Sequence, residues 1–155
     1  MTPQDRIARV VHYFVHAVPA PLGITKLVKL LYMADHDARR YLGSPITDIP
    51  WRFHHHGPYD ERVREATDTL RDAGLLCEEE VEYPTDFGHD YKPSMPDGPD
   101  LSDLSPGQRK ILELVADRPV DGLDLVADGG PQVDARRGDR ERRSDAPLRH
   151  DRRHL

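Results

Sequence analysis

The chain has 155 residues, of which 37% are hydrophobic and 32% charged, and its formal net charge is −6. Residues 1–133 carry 14 Lys and Arg against 23 Asp and Glu, a net charge of −9, whereas residues 134–155 carry 8 Arg against 5 acids, a net charge of +3. An acidic body opposes broad contact with a phosphate backbone, so nucleic-acid binding is not expected. The single Cys77 excludes an internal disulfide, and neither a secretory signal nor a membrane-spanning apolar run is seen, which predicts a cytoplasmic protein with no membrane partner.

The N-terminal segment is predicted to form a helix with a strong start signal. Thr2 can cap it, Pro3 suits its first position, and Asp5 completes a capping box. An apolar stripe follows at helical spacing: Ile7, Val10, Val11, Phe14, Val15 and Val18. Pro19 and Pro21 end the helix, and the short link to the next one predicts an αα-hairpin.

The stretch from Thr25 to Gly43 is predicted to be the central helix, with Thr25 as its N-cap and Gly43 as its left-handed stop. The residues placed on its apolar side are Ile24, Leu27, Val28, Leu31, Ala34, Ala38 and Leu42, and those placed opposite are Lys26, Lys29, Met33, His36, Asp37 and Arg40. Asp35 falls within the apolar arc. A buried carboxylate is costly unless a partner compensates for it, so Asp35 is expected to reach a specific partner across the core.

Beyond the central helix the period of the apolar residues changes. Ile49, Trp51 and Phe53 alternate with polar residues or proline, which predicts a short half-buried strand. Gly57 and Pro58, in the segment HHHGPY, are expected to turn the chain into a third helix. The inward stripe predicted for that helix is Tyr59, Val63, Ala66, Leu70 and Ala73.

The rest of the chain predicts a hairpin, a fourth helix and a tail. Leu75 to Tyr83 and His89 to Met95 read as two strands joined across PTDFG, and Ser105 opens a helix with the capping box S-P-G-Q. The predicted fold is therefore mainly α (α+β), a compact domain of about four helices with a short strand and a β-hairpin over residues 1–127. Residues 128–155 are predicted to be a disordered tail, because their Arg and Asp run has too few apolar side chains to offset the entropy of ordering.

A histidine cluster raises the alternative of a metal-dependent hydrolase. His54 and His56 would share one face of a strand, and the residues that could complete a site are His36, Asp37, Cys77 and His89. No ligand pair has an established metal spacing, however, so no metal or cofactor is expected. The chain also lacks a nucleophile elbow, a phosphate-binding loop and a paired carboxylate set, and we expect it not to be an enzyme.

A helix followed by a hairpin raises a second alternative, a winged-helix-like DNA-binding regulator. The charges of the third helix oppose this alternative. Its three arginines stand among the acidic residues Asp60, Glu61, Glu65, Asp68 and Asp72. A recognition helix this acidic would repel the duplex.

Two motifs in combination resemble the Panacea domain, the SocA-like antitoxin family first described as phage-associated proteins. The first is ITKLVKLLYMAD at residues 24–35, and the second is the HGPY that ends the short strand, at residues 56–59. The resemblance runs from about Asp5 to Arg118. The family pattern falls on Lys29, Leu30, Leu31, Tyr32 and Asp35 in the helix, and on Trp51, His56, Gly57, Pro58 and Tyr59 in the strand and turn.

The resemblance implies an antitoxin that neutralises a co-encoded protein toxin by direct contact rather than by catalysis. The motif residues are expected to be architecture, while the toxin-binding surface stays open between the predicted polar side of the central helix and the acidic third helix. We further predict that Asp35 accepts hydrogen bonds near His56–Tyr59, and that losing this contact costs about 2–4 kcal/mol. The C-terminal part departs from the family, because Val120–Ala127 begins a further segment that then gives way to the Arg/Asp tail.

Overall fold

The computed structural model of the protein describes residues 2–54, 57–83 and 86–118, all within the compact unit Met1–Gly122. The helices in these residues are α1 (Pro3–Ala17), α2 (Ile24–Leu42), α3 (Glu61–Asp72) and α4 (Pro106–Ala116). The strands are β1 (Leu22–Gly23), β2 (Arg52–His54), β3 (Gly57–Tyr59), β4 (Leu76–Tyr83) and β5 (Asp86–Pro93). This confirms the predicted fold of four helices with short strands and a hairpin. The predicted tail 128–155 lies outside the described residues.

Two of the helices begin as their capping boxes predict. The Thr2 hydroxyl accepts from the Asp5 backbone N–H at 3.0 Å, and the Asp5 carboxylate accepts from the Thr2 N–H at 3.1 Å. Ser105 and Gln108 make the same reciprocal pair at the start of α4, at 3.1 and 2.9 Å. Each box satisfies two backbone donors that a helix start would otherwise leave unpaired.

Helix α2 is the central element, because it contacts the other three helices and three of the strands. It begins one residue earlier than predicted, with Gly23 rather than Thr25 as its N-cap, and it ends at Gly43 with a left-handed φ of 90° as predicted. Its buried face is wider than one stripe. Met33, predicted to face solvent, is only 6% exposed, whereas Leu42, predicted to face inward, is 44% exposed at the helix end.

The β4–β5 hairpin is confirmed, with Leu76 opposite Pro93, but β5 begins at Asp86 and not at His89, and Gly88, predicted for the turn, pairs with Val81. The sequence did not predict the third strand of this sheet. Residues 22–23 pair antiparallel with β5, and the strand order is β1-β5-β4. A two-residue strand between a proline and a helix carries no alternation, so no pattern marks it.

Strands β2 and β3 form a separate two-stranded sheet, with Arg52 opposite Tyr59 and His54 opposite Gly57. Two predictions are wrong here. The strand around residues 49–53 is shorter and β2 is exposed throughout, and Gly57-Pro58 pairs with it instead of turning directly into α3. Helix α3 starts after Asp60, whose side chain accepts from the Arg62 N–H at 2.9 Å.

The inward stripe predicted for the third helix is therefore only partly right. Val63, Ala66 and Leu70 are buried, whereas Tyr59 precedes the helix and Ala73 follows it, and both are exposed. The apolar spacing in the sequence continues beyond both ends of the helix. The helix itself starts after its cap Asp60 and stops before Gly74, which has a φ of 79°.

Candidate functional site

Asp35 is buried near the C-terminal end of α2, with 2% of its surface exposed. One carboxylate oxygen accepts from the backbone N–H groups of Ile46 and Thr47, at 2.9 and 2.8 Å. The other accepts from the Thr47 hydroxyl and, at 2.9 Å, from the indole N–H of Trp51. We call this arrangement the Asp35 latch, since it fastens residues 46–51 to the central helix.

The latch confirms that Asp35 reaches a specific partner, but the predicted partner is wrong for the residues described. The donors lie at positions 46, 47 and 51 and not at Gly57–Tyr59. The reason is local. The left-handed Gly43 reverses the chain at the end of α2, and the residues that follow run back toward Asp35, which lies one to two turns before that end. His56, the remaining predicted partner, lies outside the described residues.

The electrostatics of the latch indicate a structural carboxylate. Burial raises the pKa of Asp35, and the hydrogen bonds from Thr47, Trp51 and Ile46 oppose that rise because they favour the charged form. A carboxylate offers about four acceptor positions, and these four donors occupy them. Asp35 therefore has no acceptor position left for a substrate proton.

Aromatic contacts also hold strands β2 and β3, which we call the β2–β3 hairpin, against α2. The Tyr32 ring meets the rings of Trp51 and Phe53 edge to face, with centroids 5.8 and 5.3 Å apart. Between the two strands, the ring of His54 on β2 packs in the same way against that of Tyr59 on β3, at 5.4 Å. Phe53 is 38% exposed and Tyr59 is 39% exposed, so the β2–β3 hairpin has two aromatic rings that are partly exposed to solvent and fixed by contacts with other rings.

Two grooves flank this hairpin where it meets α2. The first, of about 490 Å³, we call the aromatic groove; its lining residues are Tyr32, Asp35, His36, Arg39, Pro50, Trp51, Arg52 and Phe53. The second, of about 300 Å³, we call the apolar groove; its lining residues are Ile24, Thr25, Val28, His54, Gly57, Pro58 and Tyr59. The two strands thus form a ridge between two depressions on one side of the central helix.

Most of the motif residues singled out in the sequence lie at this junction. Tyr32, Asp35 and Trp51 line the aromatic groove, and Gly57, Pro58 and Tyr59 line the apolar groove. Lys29, on the same helix, is half-buried. The two motifs, distant in sequence, therefore belong to one structural unit in which α2 carries the β2–β3 hairpin. Arg39 and Arg52 were missed as groove residues, because nothing in the sequence relates a helix end to a strand that follows it.

The possible metal ligands named from the sequence are dispersed in the described residues. His89 lies 2.9 Å from Glu78, the Cys77 sulfur lies 3.0 Å from the Ser94 hydroxyl, and His36 lies beside Asp37. Within residues 2–54, 57–83 and 86–118, no group of three or more His, Cys, Asp or Glu could hold a metal ion. The hydrolase alternative receives no support from these positions.

Two of the three arginines of α3 are engaged by carboxylates of the same chain. Arg62 contacts Asp60 and Asp48 at 3.2 and 3.7 Å, and Arg71 contacts Glu78 at 2.6 Å together with two aspartates of its own helix. A guanidinium shared among carboxylates in this way is a poor phosphate ligand. The contacts add to the acidic charge of α3 as an argument against the DNA-binding alternative.

The polar side predicted for α2 is not one continuous surface. Met33 is buried, His36 and Arg40 are exposed, and the Arg40 guanidinium lies over the Tyr41 ring at 5.6 Å. Asp37, placed on the same side, is paired with Arg118 at 2.6 Å and so joins α2 to the end of α4. The exposed residues of this helix next to the β2–β3 hairpin are His36 and Arg39.

A family model matches residues 27–120 of the chain, and its description is antitoxin SocA-like, Panacea domain. The match covers more than half of the 155 residues and contains the latch, the β2–β3 hairpin, the aromatic groove and all of the apolar groove except Ile24 and Thr25. The chain therefore belongs to the SocA-like antitoxin, Panacea domain family, as the two motifs indicated. Comparison with curated proteins and with solved structures finds no match.

Membership of this family supports an antitoxin-type function, a role other than catalysis and a protein as partner. In the part of the chain that the structure describes, no helix is both long enough and apolar enough to cross a membrane.

Proposed function

We propose that this domain is an antitoxin that neutralises a co-encoded protein toxin by direct contact, in the cytoplasm, and that the β2–β3 hairpin takes part in the contact. Family membership supports the antitoxin class and a protein partner. The hairpin is the part of the matched region where aromatic side chains are both exposed and fixed in place.

The observation that carries the proposal is the exposure of Phe53 and Tyr59, at 38% and 39%. Aromatic side chains supply much of the binding energy of protein interfaces, and they do so best from well-packed positions. Each ring here is held by another ring, Phe53 by Tyr32 and Tyr59 by His54. A surface ordered before binding loses less conformational entropy when the partner arrives.

Neutralisation of this kind needs no catalytic group. The buried carboxylate that stood out in the sequence is saturated by its four donors, and it acts on the partner only by holding the hairpin in place. Binding alone can inactivate a toxin when it covers the surface that the toxin uses.

The test begins with the reading frames next to this gene. We expect one of them to arrest growth when it is expressed alone and to be tolerated when this chain is co-expressed, and the two proteins to co-purify. The double variant Phe53→Ala, Tyr59→Ala should lose neutralisation. The matched control Tyr41→Ala, Leu114→Ala removes two apolar side chains that are 66% and 48% exposed elsewhere, and it should keep it.

Two results would count against the proposal. If every neighbouring frame is harmless alone, the antitoxin function loses its basis. If a toxin is found and the hairpin variant, folded by circular dichroism, still neutralises it like the control, then the toxin is bound elsewhere on the domain.

A further inference from the structure

The aromatic groove combines apolar walls with a positive rim, a combination not found at the apolar groove. Its walls are the rings of Tyr32, Trp51 and Phe53, which fix one another edge to face. Its rim carries Arg39 from α2 and Arg52 from β2, both exposed. An occupant must therefore suit both aromatic rings and guanidinium groups.

Within the described residues, the two rim arginines have no carboxylate partner of the domain, unlike the arginines that form its ion pairs. Within the described residues, Arg9, Arg62, Arg71 and Arg118 each contact at least one carboxylate, at 2.6 to 3.7 Å. Neither Arg39 nor Arg52 makes such a contact with an acid in residues 2–54, 57–83 and 86–118. In a chain whose residues 1–133 have a net charge of −9, these two guanidinium groups give the groove a locally positive rim.

The one acid in the groove does not satisfy these arginines. Asp35 lies at its floor with 2% exposure, and both of its oxygens are directed to Ile46, Thr47 and Trp51. Guanidinium groups present planar donors that match a carboxylate in two-point contact. The rim is thus equipped to receive carboxylates from outside.

We propose that the aromatic groove binds an acidic segment of the partner protein, with a carboxylate at the Arg39–Arg52 rim and a neighbouring apolar or aromatic side chain against the rings. The segment's identity as part of the toxin rests on the function proposed above. A protein segment is favoured over a nucleic acid, because the net charge of −9 over residues 1–133 opposes a long polyanion, whereas a short acidic stretch need meet only the rim.

The decisive comparison is between neighbouring arginines of one helix. Arg39 lines the groove and Arg40 does not, yet both lie in the last turn of α2. Replacing either by Glu places the same charge near the same helix end, so the two substitutions carry the same helix-dipole penalty. Arg39→Glu and Arg52→Glu test the rim, Phe53→Ala tests the wall, and Arg40→Glu is the matched control.

The first measurement needs no toxin. A phage-displayed library of random peptides is selected on the purified full chain, and the enriched peptides are titrated by fluorescence anisotropy against each variant. We expect enriched peptides to pair Asp or Glu with an aromatic or large apolar residue, and their affinity to fall by about tenfold or more in Arg39→Glu and Arg52→Glu, the size of one lost charged contact. Arg40→Glu should stay within about twofold, and added salt should weaken binding, because the contacts are exposed charges.

Three outcomes would overturn the proposal. One is a selection that enriches no acidic peptide. Another is an affinity that falls equally in Arg39→Glu and Arg40→Glu. The third is a fluorescein-labelled oligothymidylate that binds with loss in Arg39→Glu and Phe53→Ala while peptides do not bind, since this would identify the groove as a single-strand nucleic-acid site.

The second measurement separates this proposal from the antitoxin function. In the co-expression assay, Arg39→Glu and Arg52→Glu should lose neutralisation of the toxin and Arg40→Glu should keep it. If all three neutralise the toxin fully, the antitoxin function stands and the groove assignment falls. If acidic peptides bind the groove but no neighbouring frame is toxic, the groove assignment stands and the antitoxin function falls.

Discussion

Replacing Asp35 by alanine is expected to destabilise the domain by about 3 kcal/mol, because the change leaves the donors of the latch without an acceptor. The backbone N–H groups of Ile46 and Thr47 are buried and cannot turn elsewhere, and each costs about 1–2 kcal/mol when unpaired. The other two donors cost less. The Thr47 hydroxyl can rotate, and the half-buried indole of Trp51 can reach water.

The ionisation of Asp35 moderates this loss. Burial raises the pKa of Asp35 above its value in the unfolded chain, so the folded state holds a proton on this group more readily than the unfolded chain does. The contribution of Asp35 to stability therefore falls as the pH rises from the ordinary pKa of an aspartate to the raised pKa of this group. Acidification, by contrast, does not destabilise the domain through Asp35. Alanine removes that cost along with the hydrogen bonds, which is why the expected loss is below the sum of four charged contacts.

Urea unfolding measures the effect directly, with Trp51, the only tryptophan, as the fluorescent probe and circular dichroism as the second. In a separate thermal melt, the melting temperature should fall by about 12 °C, at about 4 °C per kcal/mol for a domain of this size. Asp48→Ala is the matched control. Its carboxylate is 56% exposed and pairs with Arg62 at 3.7 Å, so its loss should stay within about 0.5 kcal/mol.

A loss below about 1 kcal/mol for Asp35→Ala, with an unchanged slope against urea, would refute the reasoning, because the latch would then not contribute to stability. A double-mutant cycle with Thr47→Val gives an independent reading. Coupling between the two positions is expected, since each side chain is the other's hydrogen-bond partner.

Three further predictions concern the hairpin and the first helix. Trp51→Phe removes the indole donor to Asp35 but keeps a ring beside Tyr32, so urea unfolding followed by circular dichroism should show a loss of about 1–2 kcal/mol. Gly57→Ala should lose about 2 kcal/mol in thermal melts, because a φ of 110° strains any residue with a Cβ although that atom would meet open space. His12 is buried, and its burial, together with the smaller effect of the charge of His16, lowers its pKa below 6.5. Because the folded state favours the neutral ring, the free energy of unfolding should fall between pH 7 and pH 5. The variant His12→Leu should reduce that fall.

Local signals predicted most of the fold. The capping boxes at Thr2 and Ser105 and the stop at Gly43 depend on residues close in sequence, and all three appear as predicted. The predictions that were wrong concern features that depend on contacts between residues distant in the sequence. Met33 is buried because α2 is covered on more than one side, and residues 22–23 become a strand only because β5 is there to pair with.

The candidate site could be predicted only in part, for the same reason. The position of Asp35 in an apolar arc indicated a buried, partnered carboxylate. The identity of the partner depended on how tightly Gly43 turns the chain, and this brought residues 46–51 into reach before residues 57–59. Asp37, two residues along the same helix, was placed on the polar side, but its ion pair with Arg118 could not be predicted, because it depends on how α4 packs against α2.

The latch and the groove rim contribute to binding in different ways, and temperature separates them. Asp35→Ala acts through stability, and because small domains are stable by about 5–15 kcal/mol, a loss of about 3 kcal/mol leaves most molecules folded at low temperature. Its neutralisation of the toxin should therefore recover when the cells are cooled. Arg39→Glu changes an exposed rim residue while the fold stays intact, so its defect should persist at every temperature. If the two variants recover alike, Arg39 acts on the fold and not on the partner.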